Sequence, residues 1–195
     1  KILSEFKPTH YSPKSFNNHY GVPLSLSNLE QNHSFGVFEV GMSKAGEIGN
    51  LSKLVRPDVA IITNIAAAHI ENFKNLKGIA SAKGEIIDNI NKGGTLILNK
   101  DDKYFRYFQK KAFKRNIKVN SFGISSNADI KLLKIKKHKD KSILKIKIFN
   151  NIIFLKTKEI NNSNILNILC CLTLLENLNL DLNKIRNFFK NINSL

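Results

Sequence analysis

Two residues with metal-binding side chains lie at or just beyond the ends of predicted strands of this 195-residue chain. Glu39 lies near the end of a strand predicted over Phe35–Val40, and Gly41 allows the backbone to turn sharply behind it. His69 follows a strand predicted over Val59–Asn64. Ligands collect beyond the carboxyl ends of parallel strands, and a carboxylate there suits Mg²⁺. Both residues are therefore candidate metal ligands, although each alone is also compatible with a structural role: a helix cap or ion pair for Glu39, a packed imidazole for His69.

Lys83 lies on the apolar side of a helix predicted over Leu76–Asn91. It stands four residues after Ile79 and three before Ile86, so it shares the face of these side chains. Desolvation lowers the pKa of a buried lysine by roughly 3–5 units. Two interpretations stay open: the side chain extends to solvent, or it is a neutral amine that CO₂ converts into a carbamate, an anion able to support a metal.

The phosphate-binding motif of nucleotide-binding proteins is absent from the sequence. No Gly-x-x-x-x-Gly-Lys-Ser/Thr occurs, and Gly93-Gly94-Thr95 has no lysine and does not join a strand to a helix. The chain by itself is therefore not expected to hold the phosphates of a nucleotide.

Short β-branched runs alternate with segments of helical period along residues 35–122. This alternation predicts an α/β fold, a mostly parallel sheet flanked by helices. The predicted strands are Phe35–Val40, Val59–Asn64, Thr95–Asn99 and Lys118–Phe122, and the predicted helices are Ala45–Val55, Leu76–Asn91, Asp102–Asn116, Asn164–Asn177 and Asp181–Ile192. Residues 1–34 carry three prolines and are predicted to be mostly irregular.

After Gly123 the apolar residues recur with period two, which predicts a small antiparallel meander over residues 129–158. Asn150-Asn151 is a plausible two-residue turn into its last strand. The lysine-rich face of this meander could bind phosphates, or it could be an exposed edge that charge protects from aggregation.

The chain carries a net charge of +16, from 31 Lys and Arg against 15 Asp and Glu. The excess is mostly lysine and is spread over every segment, which favours an AT-rich coding bias over a local nucleic-acid site. No apolar run approaches roughly 18 residues, and no signal peptide is recognisable, so we expect a soluble, cytoplasmic protein. Cys170 and Cys171 lie in an apolar helical run and are expected to be reduced core thiols.

Five blocks of sequence, in order, resemble the Mur-type peptide ligases. The block Asn17-Asn18-x-x-Gly21-Val22-Pro23 is typical of the members that add D-alanyl-D-alanine to UDP-N-acetylmuramoyl-tripeptide. The other four blocks are Glu39–Met42 with Gly46–Ile48, Pro57–Ala60 with Thr63–Glu71, Ala82–Ile86, and Leu98–Asp102.

The resemblance implies that residues 1–195 are the central, ATP-binding domain of such a ligase, with a P-loop NTPase-like fold. It also implies that the phosphate-loop strand and helix lie upstream of Lys1, that residues 1–6 end that helix, and that N-terminal and C-terminal domains are absent. In this family ATP phosphorylates the carboxylate of the tripeptide, and the amine of D-alanyl-D-alanine attacks the acyl phosphate. We therefore expect that this chain alone does not catalyse ligation.

Residue roles follow from the same resemblance. Glu39 and His69 would be ligands of two Mg²⁺ ions, and Lys83 would carry the CO₂-derived carbamate that orients the second ion. Asn17 and Asn18 would lie near the reacting substrate. Asn164 and Asn167 would contact the adenine of ATP.

Two departures from the family pattern affect the expected nucleotide contacts. Ser163 replaces the usual histidine before Asn164, and Ser43-Lys44-Ala45 replaces Asn-His-Pro. Two alternatives stay open: a Mur-type ligase for another amine, and a basic nucleic-acid-binding module. The second requires aromatic platforms beside the lysines, whereas the aromatic residues Phe105, Tyr107, Phe108 and Phe113 are predicted to serve helix packing.

Overall fold

The computed structural model describes residues 1–67, 70–139, 141–158, 160–185 and 188. The elements in chain order are β1 (Thr9–Tyr11), α1 (Gly21–Ser27), β2 (Phe35–Val37), α2 (Glu47–Val55), β3 (Val59–Ile62), α3 (Leu76–Lys83), β4 (Thr95–Asn99), α4 (Phe105–Phe113), β5 (Lys118–Gly123), β6 (Ile130–His138), β7 (Lys141–Ile148), β8 (Asn151–Lys158) and α5 (Asn162–Asn177). Short 3₁₀ helices cover Leu3–Glu5, Ile70–Asn72, Gly84–Asn89 and Leu182–Ile185.

The strands form two sheets. β1 and β2 make a two-stranded parallel sheet, and β3 to β8 make a six-stranded sheet in sequence order. Within the larger sheet β3, β4 and β5 are parallel, while β6, β7 and β8 form an antiparallel meander. β6 joins β5 through only two residue pairs, so the meander prolongs the sheet at its edge. These pairings confirm the predicted α/β class with its antiparallel meander.

Apolar side chains cover both faces of the parallel part of the larger sheet, as expected for parallel strands. In β4, Ile97 packs into a cluster with α5, whereas Leu96 and Leu98 pack on the opposite side with Phe108 of α4. Cys170 is buried in the α5 cluster, and Cys171 packs against it. Burial raises the pKa of both thiols, which agrees with their predicted role as core residues.

Several predicted boundaries are wrong, each for a local reason. The helix predicted over Leu76–Asn91 ends at Lys83, and the chain then tightens into the 3₁₀ helix Gly84–Asn89. α4 begins at Phe105, because the side chain of Asp102 accepts a hydrogen bond from Tyr104 N and forms a turn before the helix. The turn between β7 and β8 uses Phe149 and Asn150 rather than Asn150-Asn151.

Residues 1–34 are more ordered than predicted. They contain β1 and α1, and α1 accommodates Pro23 because it lies in the first helical turn, where no intrahelical N–H bond is lost. Of the last predicted helix, Asp181–Ile192, residues 181–185 and 188 are described. They include the 3₁₀ helix Leu182–Ile185, and the other residues of the prediction lie outside the described residues.

A cleft of about 780 Å³ separates the two sheets. Among the described strands, β2 pairs only with β1, and β3 pairs on one side only, with β4. Both β2 and β3 line the cleft, and its walls include Ile48 of α2 and Leu174 of α5. The strand predicted over Phe35–Val40 is thus shorter than expected and belongs to a separate sheet.

Candidate functional site

Glu39 lies two residues beyond β2 and is exposed. Its Oε1 accepts a hydrogen bond from Asn17 Nδ2 at 2.7 Å, and its backbone N–H donates to Ser12 Oγ at 3.2 Å. In the described part of the chain the carboxylate therefore contacts a neutral amide, not a helix N-terminus or a cation. The Glu39 carboxylate therefore remains available to a ligand.

Lys83 is the last residue of α3 and is half-buried. Its Nζ donates a hydrogen bond to the backbone oxygen of Asn64, two residues beyond β3, at 3.0 Å. Burial lowers the pKa of Lys83, and the nearby carboxylate of Asp102 opposes that shift. Lys83 and Glu39 both line the cleft between β2 and β3, so two candidates from separate elements share one cavity.

His69 lies outside the described residues, so the structure does not place it. Among the residues that are described, no group of three or more His, Cys, Asp or Glu side chains is arranged to hold a metal ion. The metal ligand roles of Glu39, His69 and Lys83 stay predictions.

Asp102 is a linking residue that the sequence argument did not single out. Its Oδ2 accepts a hydrogen bond from Ile65 N at 2.7 Å, and its Oδ1 accepts one from Tyr104 N at 2.7 Å. The loop after β3 is therefore tied to the loop after β4, beside Lys83. The sequence did offer a signal for Asp102, because this aspartate lies at the junction of a strand and a helix, the same kind of position as that of Glu39.

Two glutamates fix the loop that leads from Glu39 into α2. Glu85 accepts hydrogen bonds from Gly46 N at 2.8 Å and Gly49 N at 2.9 Å, which satisfies free N–H groups at the start of α2. Glu47 accepts hydrogen bonds from Ser43 N and Lys44 N, and these two bonds lower the pKa of Glu47. Both carboxylates thus have structural partners.

The neighbouring asparagines Asn17 and Asn18 make different contacts. Asn17 holds Glu39, whereas Asn18 Oδ1 accepts hydrogen bonds from Tyr20 N at 3.1 Å and Gly21 N at 2.9 Å, at the start of α1. The position of either side chain near a reacting substrate stays a prediction.

Asn164 and Asn167 lie one turn apart near the start of α5. Asn164 is half-buried and Asn167 is exposed. The helix starts earlier than predicted, because Asn161 Oδ1 accepts a hydrogen bond from Asn164 N at 2.8 Å and caps it. Nothing in these contacts tests the predicted adenine site.

Some of the aromatic residues near the lysines are buried, and others are exposed. Phe105 and Phe108 are buried, as predicted, but 79% of Phe113 is exposed, so the prediction that it serves helix packing is wrong. On the meander, Lys145 Nζ lies 6.0 Å from the ring centroid of the exposed Phe154. In the part of the chain that the structure describes, no helix combines the length and apolar character needed to cross a membrane.

Comparison with known proteins identifies related chains. The model of the Mur ligase middle domain matches residues 1–175. The UDP-N-acetylmuramoyl-tripeptide--D-alanyl-D-alanine ligase of Buchnera aphidicola subsp. Acyrthosiphon pisum is 41% identical over 103 residues, 53% of this chain and 23% of the relative. The ligase of the same name from Escherichia coli K12 is 41% identical over 101 residues, 52% of this chain and 22% of the relative.

Solved structures give the same picture for the fold. MurF from Acinetobacter baumannii superposes with a TM-score of 0.91 and 27% identity, over 100% of this chain and 42% of that one. A MurF ligase from Thermotoga maritima in complex with ADP has a TM-score of 0.87 and 23% identity, over 100% of this chain and 44% of that one. The chain thus spans less than half the length of these structures and aligns with less than a quarter of each curated relative named above.

Proposed function

This chain belongs to the Mur ligase family through its middle domain, and from that premise we propose that it is the ATP-binding domain of a ligase that joins D-alanyl-D-alanine to UDP-N-acetylmuramoyl-tripeptide. The observation that carries the proposal is the shared cleft of Glu39 and Lys83, beyond the ends of β2 and β3. The curated relatives named for this reaction support the choice of substrate. The ligase would act in the cytoplasm, with the two further domains of the same polypeptide as partners.

Magnesium fits the chemistry of this cleft. The Glu39 carboxylate is exposed and hydrogen-bonded to a neutral amide, so it offers the hard, charged oxygen donor that Mg²⁺ prefers. Glu39 and His69 would hold the ions, and Lys83 would orient the second. When bound with ATP, Mg²⁺ neutralises the negative charge that develops during phosphoryl transfer. Asn164 and Asn167 would contact the adenine.

We propose that a phosphate-loop strand of the full-length ligase lies between β2 and β3. Each of these strands has one unpaired edge among the described residues, and both edges line the same cleft. Neighbouring strands lie about 4.8 Å apart, so one further parallel strand would join the two sheets into one. Its alternate side chains would meet Ile48 on one wall and Leu174 on the other. A loop at its end would then approach Glu39.

We also propose that Lys83 carries a carbamate. CO₂ reacts with a neutral amine, and burial of Lys83 favours that form. The Nζ lone pair forms the new N–C bond, one C–O π pair of CO₂ moves onto oxygen, and one N–H proton is released to solvent, which leaves a carbamate anion. The remaining N–H can still donate to Asn64 O.

The carbamate is tested by incubating the full-length ligase with ¹³C-bicarbonate and recording its ¹³C spectrum. We expect a carbamate resonance that disappears in Lys83→Arg and persists in Lys77→Arg, an exposed lysine of the same helix. An unchanged spectrum for Lys83→Arg would leave Lys83 as an ordinary amine.

The reaction itself is tested by phosphate release from the full-length ligase with ATP and UDP-N-acetylmuramoyl-tripeptide. We expect D-alanyl-D-alanine to stimulate phosphate release. Glu39→Gln should reduce the release by about 100-fold or more, as removal of a group that stabilises transition-state charge does. The control Glu30→Gln, at an exposed glutamate, should leave the release unchanged. Stimulation by a different amine would identify another Mur-type amide ligase.

A further inference from the structure

The loop of residues 12–17 wraps around Glu39 and holds it from two sides. Asn17 Nδ2 donates to Glu39 Oε1 at 2.7 Å, although the two residues are 22 positions apart. On the backbone side, Glu39 N donates to Ser12 Oγ at 3.2 Å. Carboxylate and backbone are therefore fixed by the same loop.

This loop is itself anchored. Ser25 Oγ, on the buried face of α1, donates to Ser12 Oγ at 3.3 Å, and His10 Nε2 lies 3.0 Å from Ser25 Oγ. The backbone N–H of Ser12 donates to Val37 O at 2.9 Å, which continues the pairing of β1 with β2. Glu39 is thus supported by a hydrogen-bonded chain that reaches into α1 and the small sheet.

Gly41 leaves the space that Asn17 occupies. Its N–H donates to Asn17 O at 2.7 Å, and a Cβ at position 41 would lie 2.8 Å from Asn17 Cγ, closer than real Cβ contacts. Any side chain at this position would displace the Asn17 amide. The glycine is therefore required for the contact between Asn17 and Glu39, independently of backbone conformation.

We propose that Asn17 is a positioning residue for Glu39. Its amide fixes Oε1, so the carboxylate holds one orientation and presents Oε2 to a cation at the end of β2. This assignment rests on the proposed function, because it takes Glu39 as a ligand of the magnesium ion. It gives Asn17 a role through Glu39 rather than a direct contact with substrate.

The test measures Mn²⁺ affinity of the full-length ligase by electron paramagnetic resonance, with a non-hydrolysable ATP analogue present. Asn17→Ala should weaken Mn²⁺ binding by roughly 10- to 100-fold, the usual cost of removing a group that orients a metal ligand. Gly41→Ala should weaken it similarly, because it displaces Asn17 without altering that side chain.

Asn28→Ala is the matched control, since Asn28 is exposed and its amide contacts only Leu24 O in the described part of the chain. It should bind Mn²⁺ as the unaltered protein does, and thermal unfolding verifies that all variants fold. If Glu39→Ala loses Mn²⁺ but Asn17→Ala and Gly41→Ala keep full affinity, the positioning role is wrong while the metal site stands. If Glu39→Ala also keeps full affinity, the magnesium role of Glu39 fails, and the positioning role fails with it.

Discussion

The meander of β6, β7 and β8 and the cleft between β2 and β3 are opposite kinds of structure in one chain. β7 has a paired strand on each side and alternates buried Leu144, Ile146 and Ile148 with half-exposed residues on the other face. β2 and β3 each leave one edge unpaired among the described strands, and the partly exposed Val37 of β2 and Ile61 of β3 line the cleft. The meander thus contains a central strand paired on both sides, with its free edge on β8, whereas the cleft region places the polar residues Glu39 and Lys83 beside two unpaired strand edges.

The largest expected effect on stability is in the meander. Ile146 is fully buried at its centre, so Ile146→Ala should lower the free energy of unfolding by about 2–5 kcal/mol, through lost apolar burial and the cavity left behind. The half-buried Lys147→Ala, on the opposite face, should change it by less than about 0.5 kcal/mol. Urea denaturation measures both. If both substitutions lowered the free energy of unfolding equally, burial would not distinguish the two faces of β7.

A smaller effect is expected at Asp101, which joins the loops after β4 and β5. Burial raises the pKa of its carboxyl, but hydrogen bonds from the N–H groups of Ile124, Ser126 and Ser125 outweigh this and lower it overall. Because the folded-state pKa lies below the unfolded one, the stabilisation is present at neutral pH and is lost as pH falls through the folded value. Because Asp101 is exposed and solvent screens its charge, Asp101→Asn should cost only about 1 kcal/mol at pH 7.

The check on Asp101 is urea denaturation of both proteins as a function of pH. The difference between them should begin to shrink below about pH 5 and vanish at more acidic pH, where the carboxyl is protonated in both states. A difference that stays constant with pH would contradict a charge-dependent contribution.

Substitution of Ile61 in β3 tests whether an inserted strand fills the cleft in the full-length ligase. Its side chain lines the cleft and is 37% exposed, so Ile61→Ala should cost about 1 kcal/mol or less in this chain. With a phosphate-loop strand in place, the same substitution should cost about 2 kcal/mol or more, as in a buried core. Equal costs in the two proteins, measured by urea denaturation, would argue against an inserted strand.

The smallest effect is expected on the outer face of the meander. Phe154 is 61% exposed, and its ring contacts Lys145, whose exposed cation–π pairing is worth about 0.5–1 kcal/mol at most. Phe154→Ser should therefore change the unfolding free energy by less than about 1 kcal/mol, and thermal unfolding checks this. A loss comparable to that of Ile146→Ala would show that this face is packed rather than open.

Local sequence patterns predicted correctly those strands whose burial follows directly from the order of apolar and polar residues. The strand Thr95–Asn99 agrees with its prediction at both ends, because its unbroken apolar run suits a strand buried on both faces. The meander followed from period-two alternation. In contrast, the three-residue β1 and seven-residue α1 are too short for periodicity to reveal, and α1 forms where Asn18 satisfies its first N–H groups.

The candidate site was predictable in part. Glu39 and Lys83 were found because a carboxylate after a strand and a lysine on an apolar helix face are locally unusual. The sequence by itself thus determined which chemical groups the domain offers. Only the tertiary structure decided how they are held: Glu39 by Asn17, Lys83 by Asn64, and the loops after β3 and β4 by Asp102. These hydrogen bonds join residues 19 to 37 positions apart, so no local period or spacing encodes them. They exist only once the strand ends have been brought to the same cleft.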